Sequence, residues 1–302
     1  MNRLRRWLGG GVALVILGSC VAPSPPAGPA AAPEPGPAPT PSMPPRPADF
    51  VLAGSLIQGG IVIGTAPAGA VALTLDGAAV PIAGDGRFLI GFDRDAAPSA
   101  QLTAVLDGGR RITRALAVAP RAWNISRLGS LPKYPVPLPQ FERLRPAELA
   151  AIAAARRIAT DAAGWRQPLL WPATGRISTL FGAQRIYRND EAGSYHSGID
   201  IAVPTGTPVR APADGVVVLA SDRPFLLEGN LLMIDHGMGL GSAFMHLSRI
   251  VVTVGAGVTR GEVIAYSGAT GRVTGPHLHW GLRWRNAKVD PLLVAGAMPA
   301  AR

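Results

Sequence analysis

Between Phe50 and Ile125 apolar and polar residues alternate in short runs. Val71, Leu73 and Leu75 lead into Asp76-Gly77, Asp85-Gly86 stands just before Phe88, and Leu102, Ala104 and Leu106 lead toward Asp107-Gly108. Period-two alternation broken by Asp-Gly, a dipeptide that tolerates the positive φ angles of tight hairpin turns, predicts antiparallel strands. We therefore expect a small β sandwich over residues 49–130. A different pattern follows: Pro146 opens the run AELAAIAAARRIATDAAG, with Glu148 close behind. Proline at the first helical position and an early acid predict a helix over 145–162, within a linker over 131–165 that is Pro-rich at its start. Arg156 and Arg157 are expected on its solvated face. Further on, Ile199, Ile201 and Val203 alternate after Gly198 and read as a strand.

The N-terminus has another logic. Residues 1–19 carry Arg3, Arg5 and Arg6, a short apolar core from Leu8 to Leu17, then small residues. This is the layout of an export signal, and the core is too short to span a bilayer as a helix. Leu17-Gly18-Ser19-Cys20 resembles a bacterial lipoprotein signal, which implies cleavage before Cys20 and a lipidated N-terminus that anchors the chain to a membrane. Val21 and Ala22 supply no Asp retention signal, which resembles sorting to the outer membrane, facing the periplasm. Residues 21–48 contain 12 Pro in 28 positions. Such a segment favours extended polyproline II and would reach about 85 Å, so residues 20–48 read as lipidated Cys and tether.

Composition narrows the chemistry. A single Cys excludes disulfide scaffolds, thiolate zinc sites and iron–sulfur clusters. The net charge of +10 suggests an anionic partner. Removing residues 1–19 takes away three arginines and no acid, so the positive balance survives export, and an exported chain is expected to meet wall and membrane, with no nucleic acid partner. The 49–130 module has no His, no Cys and no acidic cluster, which fits a spacer or binding module.

All five histidines, His196, His236, His246, His277 and His279, lie after residue 195. His196 and Asp200 are four apart, a spacing that shares a face on a helix and keeps parity on a strand. His277 and His279 are two apart, which on a strand aims both the same way. A His-carboxylate pair and a His pair are the raw material of a three-ligand zinc site with a fourth position for water.

Taken in order, Arg185, His196-Ser197-Gly198-Ile199-Asp200, Gly206-Thr207-Pro208-Val209, Asp214-Gly215-Val216-Val217, Ile234-Asp235-His236-Gly237, His246-Leu247-Ser248 and Gly271 through His279 resemble the motifs of lysostaphin-type zinc metallopeptidases, the murein endopeptidase family. The resemblance runs from about Trp171 to Leu293. It implies a mainly antiparallel β metallopeptidase domain over residues 166–295, with a tail over 296–302, that hydrolyses peptide cross-links of peptidoglycan. It also implies one zinc per chain, held by His196, Asp200 and His279. His246 and His277 would flank the water and the developing oxyanion, and the resemblance does not separate base from oxyanion partner.

The whole is thus expected to be mainly β: a sandwich and an antiparallel metallopeptidase domain joined by one helix. His236 and Asp235 are expected to be structural, and Asp214-Gly215 to be a turn. Two departures stand out. Phe244 replaces a Tyr, which is expected to remove a hydroxyl near the groove. Gly281 stands where an acid usually supports the ligand histidine. The competing reading is a non-catalytic lipoprotein that binds the wall or activates amidases; filled ligand positions favour the enzyme. The sequence does not identify divisome or wall-hydrolase partners.

Overall fold

The computed structural model describes residues 46–129 and 139–299. The export signal, Cys20, most of the tether and the start of the linker lie outside the described residues. Among the described residues no helix is long and apolar enough to cross a membrane.

The first module contains β1 (Val51–Gly54), β2 (Ile61–Thr65), β3 (Ala70–Leu75), β4 (Ala78–Ala79), β5 (Arg87–Gly91), β6 (Ser99–Leu106) and β7 (Arg111–Ala117). They form two antiparallel sheets, β1-β2-β5 and β4-β3-β6-β7. Alternation places Leu102, Ala104 and Leu106 of β6 inside, against Phe88, Ile90 and Leu73. The Asp-Gly signals do three different jobs. Asp76 and Gly77 both take positive φ, 49° and 80°, as the two-residue turn between β3 and β4 demands. After Asp107, it is Gly108 and Gly109 that carry the positive φ between β6 and β7. Asp85-Gly86 closes a turn before β5, where Asp85 accepts hydrogen bonds from Arg87 and Arg166.

β8 (Ile125–Leu128) leaves the sandwich and pairs in parallel with β10 (Gln184–Tyr187), which follows β9 (Arg176–Thr179). Between β8 and β9 stands α1 (Pro139–Ala155). The helix differs from the 145–162 expected: it begins earlier, holds Pro146 inside, and ends at Ala155. Its ending has a visible cause, because Thr160 is drawn away to Asp235, whose Oδ2 accepts from the Thr160 amide at 2.9 Å. Ile152 and Ala155 pack on Val218, Leu219 and Met233 of the neighbouring sheet. Glu148 is not a helix-start acid; it sits in the middle of the helix. It is 1% exposed, accepting from Arg145 and from the Leu226 amide.

The second module is built on β11 (Ile199–Ala202), β12 (Pro208–Arg210), β13 (Gly215–Ala220), β14 (Asn230–Asp235), β15 (Leu240–Leu247), β16 (Arg249–Ile250), β17 (Gly257–Val258), β18 (Val263–Tyr266), β19 (Leu278–Trp284) and β20 (Ala287–Val289), closed by α2 (Pro291–Ala295). An eight-stranded sheet runs β17-β13-β14-β15-β19-β11-β9 with β20 beside β19, and β12-β18-β16 form a smaller sheet. One face of the large sheet, with Ile199, Ile201, Phe244, Leu278, Trp280 and Leu282, makes the main core. Trp171 meets Trp280 edge-on there at 5.8 Å. The chain is mainly β, as expected.

The two modules share apolar packing. Trp165, Leu240 and Trp284 belong to the same buried cluster as Phe88 and Leu73 of the sandwich. Arg121 reaches across to Asp290, at 2.9 Å, and Asp290 also caps α2 by accepting from the Leu292 amide.

Candidate metal centre

The site lies on the large-sheet face opposite the main core. Asp200 of β11 stands directly across from His279 of β19 in the antiparallel register, so both side chains project from one face. His196 precedes β11, its amide tied to the Ala183 carbonyl at 2.8 Å. Three atoms converge. His196 Nε2, His279 Nδ1 and Asp200 Oδ1 are each 2.9 Å from the other two.

Protonation follows from the outward nitrogens. His196 Nδ1 lies 3.1 Å from the Leu180 carbonyl, which can only accept, so the proton sits on Nδ1 and Nε2 turns a lone pair inward. Burial pushes the Asp200 carboxyl up, but the His196 and His279 rings pressed against it outweigh burial and hold the group ionised, well below the usual carboxylate range. Burial lowers the pKa of His279, which is 5% exposed, keeping it neutral. Its Nε2 is buried without a hydrogen-bond partner among the described residues. A neutral imidazole using Nδ1 as a ligand must carry its proton on that Nε2. Three acceptor atoms pressed to 2.9 Å repel one another unless a cation sits among them. Two imidazoles and a carboxylate are the nitrogen and oxygen donors that zinc takes, so the residues fit a zinc ion.

Two further imidazoles stand beside this triad. His246 and His277 have ring centroids 4.7 Å apart, and His246 lies 6.3 Å from His279. His277 directs Nδ1 to the Gly275 carbonyl at 2.9 Å and brings Nε2 to 3.7 Å from Asp200 Oδ1. His246 directs Nδ1 to the Thr270 carbonyl at 2.9 Å. Burial lowers its pKa to about 4, so it is neutral at pH 7.

His246 is placed by a bulge. The β14–β15 register steps from Asn230↔Leu247 to Leu232↔Phe244, two residues against three, and His246 takes φ 63°, unusual for a residue with a Cβ. Thr270 fastens the bulge: its hydroxyl accepts from the Asn230 amide at 2.9 Å and donates to the Leu247 carbonyl at 2.8 Å. The bulge also corrects the expectation for residue 244. Phe244 is fully buried in the main core on the opposite face, so a hydroxyl there would not reach the groove.

Other histidine-rich motifs resolve into support. His236 is fully buried, with Nδ1 to the Asp214 carbonyl and Nε2 to Ser242 Oγ, both at 2.8 Å. Asp235 accepts from Thr160. Asp214 is more than a turn residue, since its carboxylate receives Gln167 Nε2 and the Arg260 amide. Gly215 answers a close approach: a Cβ there would lie 2.7 Å from the Asp235 carbonyl and 2.9 Å from His236 Nδ1. Sequence reasoning missed Thr270, Arg145 and Glu228, which act through main-chain and ion-pair contacts that no spacing announces.

Residues 194–291 match the model of Peptidase family M23. Among curated proteins, the chain is 43% identical over 117 residues to the peptidoglycan DD-endopeptidase ShyA of Vibrio cholerae, covering 39% of this chain and 27% of that protein. It is 41% identical over 133 residues to the DD-carboxypeptidase/endopeptidase Mpg of Neisseria meningitidis serogroup B, covering 44% of this chain and 29% of that one. The matched segment therefore spans less than a third of the length of either relative. Among solved structures, the crystal structure of a Pseudomonas aeruginosa protein assigned to peptidase M23 aligns with TM-score 0.61 at 28% identity. That alignment covers 80% of this chain and 96% of the other, so the likeness extends beyond residues 194–291 into the sandwich.

Proposed function

Starting from residues 194–291 as a peptidase family M23 domain, we propose that this chain is a zinc metalloendopeptidase that hydrolyses peptide cross-links of bacterial peptidoglycan. The observation that carries the reading is the convergence of three acceptor atoms, from His196, Asp200 and His279, beside two more imidazoles. One zinc per chain would be held by these three side chains. When bound, zinc supplies Lewis acidity, lowering the pKa of a water toward neutrality and polarising the scissile carbonyl.

The remaining steps belong to His246 and His277. Each has its Nδ1 proton committed to a carbonyl, so each offers Nε2 to the reacting atoms. Amide hydrolysis needs a proton taken from the attacking water, charge held at the tetrahedral oxygen, and a proton returned to the leaving amine. His246, neutral by burial, is an acceptor. His277 brings its Nε2 to 3.7 Å from Asp200 Oδ1, beside the atoms that would hold the metal. The non-catalytic reading is not favoured, because the ligand set is complete.

Export, lipidation at Cys20 and an outer-membrane position facing the periplasm complete the proposal, with peptidoglycan as substrate. The test is mass spectrometry of cross-linked muropeptides digested by the mature protein, with metal content measured alongside. We expect about one zinc per chain, product peptides that vanish with chelator, and no cleavage by His279→Ala. Undiminished cleavage by that variant, or none by the zinc-loaded wild type, overturns the reading.

A further inference from the structure

A cavity of about 600 Å³ opens on the same sheet face as the candidate metal centre. It begins at Ser197, Met245 and Gly281, each within two residues of a site histidine, and its other end is basic, lined by Arg156, Arg283 and Lys288. Three parts of the fold enclose it. The catalytic sheet is the floor, the C-terminal end of α1 with the residues just beyond it is one wall, and the β3–β4 hairpin contributes Leu75 and Ala78 to another.

The basic end holds more positive than negative charge, with Asp93 the nearest acid to Lys288 and Arg283. Among the described residues Arg156, Arg283 and Lys288 make no ion pair. Arg283 gives Nε to the Arg285 carbonyl at 2.8 Å, a neutral acceptor. The Lys288 ammonium sits 4.2 Å from the Tyr195 ring centroid. The nearby acid, Asp93, already receives the Tyr195 hydroxyl at 2.7 Å and the Lys288 amide at 2.9 Å. Arg156 is exposed at the rim, where partial desolvation and repulsion from Arg283 lower its pKa to about 10, and burial lowers that of Lys288 despite Asp93. Three cations gathered in one concavity, none in a salt bridge among the described residues and with the oxygens of Asp93 already engaged, favour an anion.

The distance says where on a substrate that anion lies. Arg283 and His279 share a face of β19 four residues apart, which at strand rise is about 13 Å, or about four residues of extended peptide. The floor between them is Gly281, flanked by Ala243 and Gly241, so an extended backbone can lie against the sheet.

Resting on the endopeptidase reading, we propose that this cavity is a specificity subsite for a free carboxylate carried by the peptide about four residues from the scissile bond, held by Arg156, Arg283 and Lys288. Arg156 lies on the segment leaving α1, outside the 194–291 match, so the subsite is completed by a part of the chain that the peptidase domain does not contain.

The test compares a cross-linked muropeptide dimer with free carboxylates against the same dimer amidated at them, using wild type, Arg156→Gln, Lys288→Gln and the double variant. Melting curves check that each variant is folded. Wild type should show a KM about tenfold lower for the free acid at similar kcat. The double variant should lose that preference by raising KM for the free acid alone. Calorimetry of metal-free protein with an uncross-linked tetrapeptide muropeptide should show the same dependence on the carboxylate. Efficient cleavage with equal KM for both dimers overturns the subsite and leaves the endopeptidase standing. Charge-dependent binding without cleavage by zinc-loaded protein does the reverse.

Discussion

The main-chain N–H of His246 donates to the carbonyl oxygen of Glu228 at 2.8 Å. The Glu228 carboxylate in turn receives both terminal nitrogens of Arg145, at 2.6 and 2.7 Å. Helix α1 thus grips the loop on which the β15 bulge is formed, and Glu148 reinforces the grip through the Leu226 amide.

Arg145→Ala should therefore act at a distance. It strands Glu228 and the buried Glu148, and breaking such a pair costs about 3 kcal/mol. We expect a lower melting temperature and a fall in kcat larger than any rise in KM, because His246 loses its alignment while the cavity keeps its cations. A normal kcat in a destabilised variant would show that the bulge holds without the helix.

Gly281→Glu addresses the unpartnered Nε2 of His279. A Cβ at 281 would meet the Ser197 carbonyl at 3.4 Å and His279 Nε2 at 3.6 Å, ordinary contacts, so a side chain can start there. A carboxylate accepting from Nε2 should strengthen zinc retention by about tenfold against a competing chelator. Unchanged retention would mean that the nitrogen is already satisfied in solution.

His236 sets a limit on acid tolerance. Burial holds its pKa below the ordinary 6.5, and protonating Nε2 would break the bond from Ser242. The unfolded chain binds a proton below about 6.5 that the folded chain refuses, so this stabilisation is complete above that pH and is lost as pH falls beneath it. Melting temperature followed from pH 8 to pH 5 should decline more steeply in wild type than in His236→Gln. Parallel slopes would place the acid sensitivity elsewhere.

Cys20→Ala should move the protein from the membrane fraction to the soluble periplasmic fraction with its cleavage activity unchanged. A variant that still pellets with membranes would show that another segment anchors it.

The readable parts of this chain are those set by local chemistry. Asp76-Gly77 demanded positive φ and received it, and the β6 alternation chose its buried face without ambiguity. The parity of Asp200 and His279 needed only that each lie on a strand. The face of Phe244 was not readable, because counting two back from His246 assumes an unbroken strand, whereas the bulge inserts one residue between them. The ends of α1 were hidden for a related reason. Asp235, far along the chain, takes the Thr160 amide, and Glu148 satisfies a loop amide at Leu226, so tertiary partners override the helix signals of Pro146.

The seam that joins Trp165, Leu240 and Trp284 to the sandwich core is an interior, not a hinge. Swinging the sandwich away from the large sheet would bare these three large side chains to water, at about 1.5–3 kcal/mol each. The walls around the basic cavity are therefore fixed before any peptide arrives. On the proposed function the site does not clasp a peptide strand; it gauges it, and a strand of the wrong shape or charge is turned away at no conformational expense.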